Sequence, residues 1–150
     1  MIQRKQTLYL LLSFIFVCVC MFMPLGSFLP EGMGTGHVMY ASHIAHDRNI
    51  DITVLPLFVL LLASGVMSAV SVFMYNNRKR QSAVCVWNMI ALIVWYACFA
   101  FFVIDGKEPG LSFSPAFSSV LPFVALIAVF MARRGILYDE KLVRAADRIR

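Results

Sequence analysis

Four uncharged apolar runs alternate with polar segments along the chain: Leu8 to Leu29, Val54 to Tyr75, Ala83 to Ile104 and Leu111 to Ala132, each of 22 residues. At 1.5 Å per residue such a run makes about 33 Å of helix, enough to cross a hydrocarbon core of about 30 Å. The pattern predicts four transmembrane helices. Only seven residues, Asn76 to Ser82, join the second run to the third, so these two form a hairpin. The first run follows a basic opening with Arg4 and Lys5, as a secretory signal would. It is longer than an ordinary signal core and leads into Pro24-Leu25-Gly26-Ser27, which is no small-residue cleavage site, so it is read as a retained helix.

The polar segments complete the expected layout. Pro30 to Thr53 is a loop whose Gly32, Gly34 and Gly36 predict irregular backbone at least through His37. A turn, Asp105 to Gly110, ends the third helix, and the regular part of the fourth is expected from about Pro115, a residue suited to a first helical turn. A polar tail, 133–150, follows. One transmembrane domain covers residues 1–150.

Charge then orients the layout. Arg4 and Lys5, the cluster Arg78-Lys79-Arg80, and Arg133, Arg134, Lys141, Arg144, Arg148 and Arg150 put eleven cations on one side of the four spans; Arg48 and Lys107 put two on the other. Short loops rich in Lys and Arg stay cytoplasmic, so both termini are expected inside and the 30–53 loop outside. The fold class expected is all-α: an integral membrane four-helix bundle, N-in/C-in, with a short cytoplasmic amphipathic C-terminal helix.

Composition agrees with that class and narrows the function. The chain is 61% hydrophobic and 14% charged, against about 45–50% and about 25% in soluble domains. Its net charge of +5 is gathered at span ends, where it meets lipid head groups, so the partners expected are the bilayer and a membrane protein or a second copy, not nucleic acid. Cys18, Cys20, Cys85 and Cys98 all lie in apolar runs without a Cys-x-x-Cys pair, which points to packing rather than redox chemistry. No Asp, Glu, Lys, Arg or His falls within the four spans. Proton relays, haem ligation and intramembrane hydrolysis need such groups, so no enzyme and no cofactor are expected.

Few residues are left as candidates. His37, His43 and His46, beside Asp47, form the one metal-like spacing, and imidazoles bind zinc or copper; a solvated loop is the plainer reading, and no metal site is assigned. Ser64, Ser68, Ser71 and Tyr75 fall within about 60° of one another on the second helix, flanked by Gly65 and Ala69. Small hydroxyl residues in a stripe let helices approach closely and bond across the contact. Ser118, Ala125, Ala128 and Ala132 make a matching stripe on the fourth helix, and the two faces are expected to meet. Asn88 is expected to hydrogen-bond between helices. Pro122 would leave the carbonyl of Ser118 without a donor and kink the span. Tyr9, Trp87, Trp95 and Tyr96 are read as interfacial anchors.

In the tail, Tyr138, Leu142, Ala145, Ala146 and Ile149 share one helical face, and Asp139, Glu140, Lys141, Arg144, Asp147 and Arg148 occupy the rest. The tail is expected to lie on the membrane or on the protein's own cytoplasmic face, with Arg4 and Lys5, together with Gln3 and Gln6, docking on its acidic side, or to offer Asp139, Glu140, Arg144, Asp147 and Arg148 to a partner. The opening Met1-Ile-Gln-Arg-Lys-Gln-Thr-Leu-Tyr-Leu and the closing Asp139-Glu-Lys-Leu-Val-Arg-Ala-Ala-Asp-Arg-Ile-Arg resemble the two ends of an uncharacterised bacterial membrane family, domain of unknown function 4293. That resemblance implies four spans and an inner-membrane location, and brings no activity. The function expected is a non-enzymatic scaffold or modulator of a membrane complex. A small-molecule permease or exporter subunit is the alternative, and an enzyme acting on lipid comes third.

Overall fold

The computed structural model describes residues 3–30, 36–45, 50–74, 77–106 and 111–147. Four helices dominate: α1 (Gln3–Phe22), α2 (Leu55–Phe73), α3 (Arg78–Asp105) and α4 (Leu121–Asp147), the last entered through a 3₁₀ turn, Phe117–Val120. α1 and α3 each pack against both α2 and α4. α2 and α4 therefore sit across the interior from each other and are not side-by-side neighbours. This corrects the expected meeting of their small-residue stripes, because both stripes face a centre that α1 and α3 also fill.

Each helix buries residues at alternating steps of three and four. Gln6, Leu10, Ser13, Val17 and Cys20 do so on α1; Leu57, Leu61, Ser64, Ser68 and Ser71 on α2; Gln81, Cys85, Asn88, Leu92 and Trp95 on α3. On α4, Leu121, Ala125, Ala128, Ala132, Ile136 and Asp139 follow the same steps, with two steps of four in succession between Ala128 and Ile136. A repeat near 3.5 keeps one narrow seam facing the neighbours, as in left-handed helix packing. The remaining surface is apolar and open: Phe22 is 81% exposed, Phe73 79% and Phe117 81%, with Trp87, Phe101, Ile104 and Phe123 exposed beside them. Water would penalise apolar exposure on that scale, whereas lipid would not.

An all-α fold does not describe the chain, because a five-stranded antiparallel sheet joins the helices at one end. It consists of β1 (Gly26–Pro30), β2 (His37–Met39), β3 (Ile44–Ala45), β4 (Ile50–Asp51) and β5 (Leu111–Pro115), in the order β4-β3-β2-β1-β5. β1 and β5 pair along their whole length, from Gly26 opposite Pro115 to Pro30 opposite Leu111. Gly26 is required there: a Cβ would collide with the Phe113 ring and lie 2.9 Å from the Ser114 carbonyl oxygen. Pro115 is tolerated because β5 is an edge strand. Phe28, on β1, is buried against Phe113 with ring centroids 5.0 Å apart, and joins Leu25, Met39 and Ala41 to the helical core.

The sheet moves the ends of two expected spans. α1 stops at Phe22 rather than Leu29, since Pro24 and Gly26 break the helix and the next residues pair as β1. α4 starts at Leu121 rather than near Pro115, because 111–115 is β5. Pro122 is thus the second residue of α4, where a missing N–H costs nothing, and it makes no kink within the span. The carbonyl of Ser118 accepts the Cys20 thiol at 3.4 Å. At its other end α4 runs unbroken through the expected tail to Asp147, so no separate short helix forms. Among the described residues three helices are long and apolar enough to cross a membrane, Leu55–Phe73, Arg78–Asp105 and the helical stretch Phe117–Val143; the apolar part of α1, Gln6–Phe22, is shorter.

Candidate functional site

Polar side chains buried between apolar helices are the residues that need explaining, since each loses hydration and must find a partner. The largest group joins three helices at mid-height. The Ser64 hydroxyl donates to Asn88 Oδ1 at 2.6 Å, and Asn88 Nδ2 donates to Ser68 Oγ at 2.8 Å. Ser68 Oγ also lies 3.4 Å from Ser13 Oγ on α1. All four side chains are fully buried. On one side the layer borders a core containing Val17, Leu61, Leu92 and Ala125; on the other, a cluster of Leu10, Cys85, Val129, Ala132 and Ile136. Gly65 is buried next to it, where an added Cβ would come into ordinary van der Waals contact with Val17 and Phe14.

Towards the α2–α3 turn, Gln81 Nε2 donates to the Ser71 carbonyl at 2.8 Å and ties the hairpin. At the sheet end the Ser118 hydroxyl donates to the Pro24 carbonyl, and Tyr96 donates to the Ser119 carbonyl at 2.8 Å. Replacing Tyr96 with Phe removes that bond alone, and is expected to lower stability in detergent by about 1 kcal/mol. Circular dichroism during denaturant titration would measure it; an unchanged midpoint would show the bond contributes nothing.

Between the free ends of α1 and α4, Gln6 Nε2 donates to Asp139 Oδ2 at 2.5 Å. Asp139 is only 6% exposed and points inward against α1, on the acidic side of the tail where the N-terminal residues were expected to dock. Ile136 is buried with it, while Tyr138, Leu142 and Val143 face outward. α4 simply continues the seam that Ala128 and Ala132 begin. Glu140 is partly exposed. The side chains of Arg4, Arg144 and Asp147, together with Arg148 and Tyr75, lie outside the described residues, and so does the docking expected of them.

His37 opens β2, and His43 sits in the turn before β3, stacked on Tyr40 and 2.8 Å from the Ser42 hydroxyl through Nδ1. His46 lies outside the described residues. Among the described residues no three His, Cys, Asp or Glu side chains come together as a metal set.

The order of these elements and the two terminal segments extend over the whole chain. The family model for a domain of unknown function (DUF4293) matches residues 2–149. The chain belongs to that family. No curated protein matches this DUF4293 chain.

Reasoning from the DUF4293 sequence missed several of these partners. Ser13 is the lone hydroxyl in the middle of α1 and, with Gln6 and Cys20, recurs every seven residues, a signal that was available. Trp95 is no interfacial anchor: it is fully buried between Phe99, stacked at 5.2 Å, and Tyr96, edge-on at 4.9 Å. Hydropathy does not separate it from Trp87, which is exposed; only its place seven residues after Asn88 does.

Proposed function

We propose that the protein is a multi-pass component of the bacterial inner membrane, with both termini cytoplasmic, that scaffolds or modulates a membrane complex and performs no chemistry of its own. The observation that carries this reading is how the buried polar groups are used. Ser13, Ser64, Ser68 and Asn88 bond to one another, as interhelical contacts do, and line no passage. A permease would need such groups facing a path for its substrate.

The exposed apolar belt supports membrane insertion, and the basic residues support the orientation. α3 and α4, about 42 Å and 40 Å long, are longer than a hydrocarbon core, and their basic ends, Arg78 to Arg80 and Arg133 onward, lie away from the sheet. In a background lacking the native thiols, a cysteine at position 43 is expected to react with an impermeant reagent from outside. Cysteines at 80 and 145 are expected to react only after lysis, and the reverse pattern would overturn the orientation.

Replacing Ser64 and Ser68 together with Leu separates the two functional readings. Under the scaffold reading the enlarged side chains force the helices apart, and the protein is lost from membranes along with any crosslinked partner. A variant that still folds and inserts, yet abolishes movement of a solute, would establish the permease reading instead.

A further inference from the structure

α1 and α4 leave a groove of about 310 Å³ at the end of the helices remote from the sheet, lined by Tyr9, Met131, Arg134, Gly135 and Tyr138, with Gln6 and Asp139 at its polar end. Arg134 and Gly135 stand three and four residues after Met131, and four and three before Tyr138, so the four form one face of α4. Gly135 keeps the groove open towards α1, since a Cβ there would lie 2.9 Å from Gln6 Cγ.

The groove has a charge pattern as well as a shape. Asp139 accepts from Gln6 through Oδ2, but its Oδ1 is buried and has no hydrogen-bond partner among the described residues. A buried carboxylate oxygen left unpaired is costly, and a cationic N–H donor is the group that relieves it best. Arg134, exposed at the rim, presents a guanidinium that suits a phosphate. Met131 and the tyrosine rings continue the groove as an apolar surface along the helices.

We infer that this groove binds a phospholipid bearing a primary ammonium group, with the ammonium at Asp139, the phosphate at Arg134 and the start of an acyl chain along Tyr9, Met131 and Tyr138. Entry of the ammonium requires the flexible Gln6 side chain to yield. A trimethylated ammonium has the charge but no N–H to donate, and a glycerol head group has no cation. Discrimination between these head groups is therefore the signature of the site. The inference rests on the membrane reading, which carbonate extraction of native membranes tests separately: a chain that stays in the pellet but shows no head-group preference fails only here.

The test uses the purified full chain in detergent, titrated with phosphatidylethanolamine, phosphatidylcholine or phosphatidylglycerol of identical acyl chains and read by native mass spectrometry. Phosphatidylethanolamine is expected to bind on the order of tenfold more tightly than either of the others. Free phosphoethanolamine, with both charges and no tail, is expected to bind at least about tenfold more weakly than the lipid. Asp139→Asn still accepts from Gln6 but should lose the preference over phosphatidylcholine. Arg134→Gln, a change at the exposed rim, should weaken all three lipids while the preference survives. Equal binding of the three lipids by the wild-type chain, a preference retained in Asp139→Asn, or equal binding of free phosphoethanolamine would overturn the assignment.

Discussion

Replacing Trp95 with Ala is expected to destabilise the protein by about 3 kcal/mol, the largest loss for any single side chain in the helical core. Trp95 is fully buried, stacked on Phe99 with an interplanar angle of 6° and set edge-on to Tyr96 at 89°. In a soluble protein, cutting a large aromatic to Ala costs about 3–5 kcal/mol, part of it from transfer out of water and part from the cavity left behind. For helices that separate within lipid the transfer part is small, because lipid tails are as apolar as the core. The cavity part remains, which places the expected loss at the low end. Trp95 Nε1 has no hydrogen-bond partner among the described residues, so Trp95→Phe removes an unpaired donor while leaving a smaller gap. Those two terms oppose each other, and the change expected for Trp95→Phe is below about 1 kcal/mol. Unfolding in mixed micelles with increasing dodecyl sulfate fraction measures both. If Ala and Phe proved equally harmful, the indole would matter for something other than its volume.

The contrast between Trp95 and Trp87 shows where sequence reading stops. In a soluble protein an apolar residue is inside by default, but in a membrane both the interior and the lipid accept it, so hydropathy carries no inside-outside signal. Polar residues within a span do carry one, because lipid excludes them. Ser64, Ser68 and Asn88 could therefore be read as interhelical from the sequence, whereas Leu92 and Ile93, neighbours with opposite exposure, could not be told apart by hydropathy.

The sheet was hidden for a related reason. Gly26–Pro30 closes an uninterrupted apolar run, and a window of about 20 residues merges it with the helix before it. The local signals were Pro24 and Gly26 as breakers, and the alternation of Leu111, Ser112, Phe113 and Ser114, which has the period of a strand. Two-residue strands such as Ile44–Ala45 carry no readable period at all. α4 was cut at Arg133 because charge marked the membrane boundary. Helix propensity does not end there, however, and the buried seam continues to Asp139.

Asn88→Ala is expected to cost about 1–2 kcal/mol, and the loss should be shared with its partners rather than belong to Asn88 alone. The side chain is fully buried and joins α3 to α2 twice, accepting from Ser64 and donating to Ser68. Interhelical hydrogen bonds in membranes average about 0.6 kcal/mol and reach about 1.7, because the separated helices also find partners for their polar groups. Here the freed serines can each turn back to the carbonyl four residues earlier, Ser64 to that of Leu60 and Ser68 to that of Ser64, which recovers part of the loss. Cavity formation at a site closed to lipid adds to what remains. The test is a double-mutant cycle of Asn88→Ala with Ser68→Ala, read as unfolding free energy in mixed micelles. The double variant is expected to lose about 0.5–1 kcal/mol less than the two single losses combined, since either change alone already breaks their common bond. Additive losses would mean that Asn88 and Ser68 act independently and that the polar layer is held by shape alone. Coupling of the expected size would place the hydrogen-bonded layer, and not only the apolar clusters on either side of it, among the contacts that fix how α2 and α3 meet.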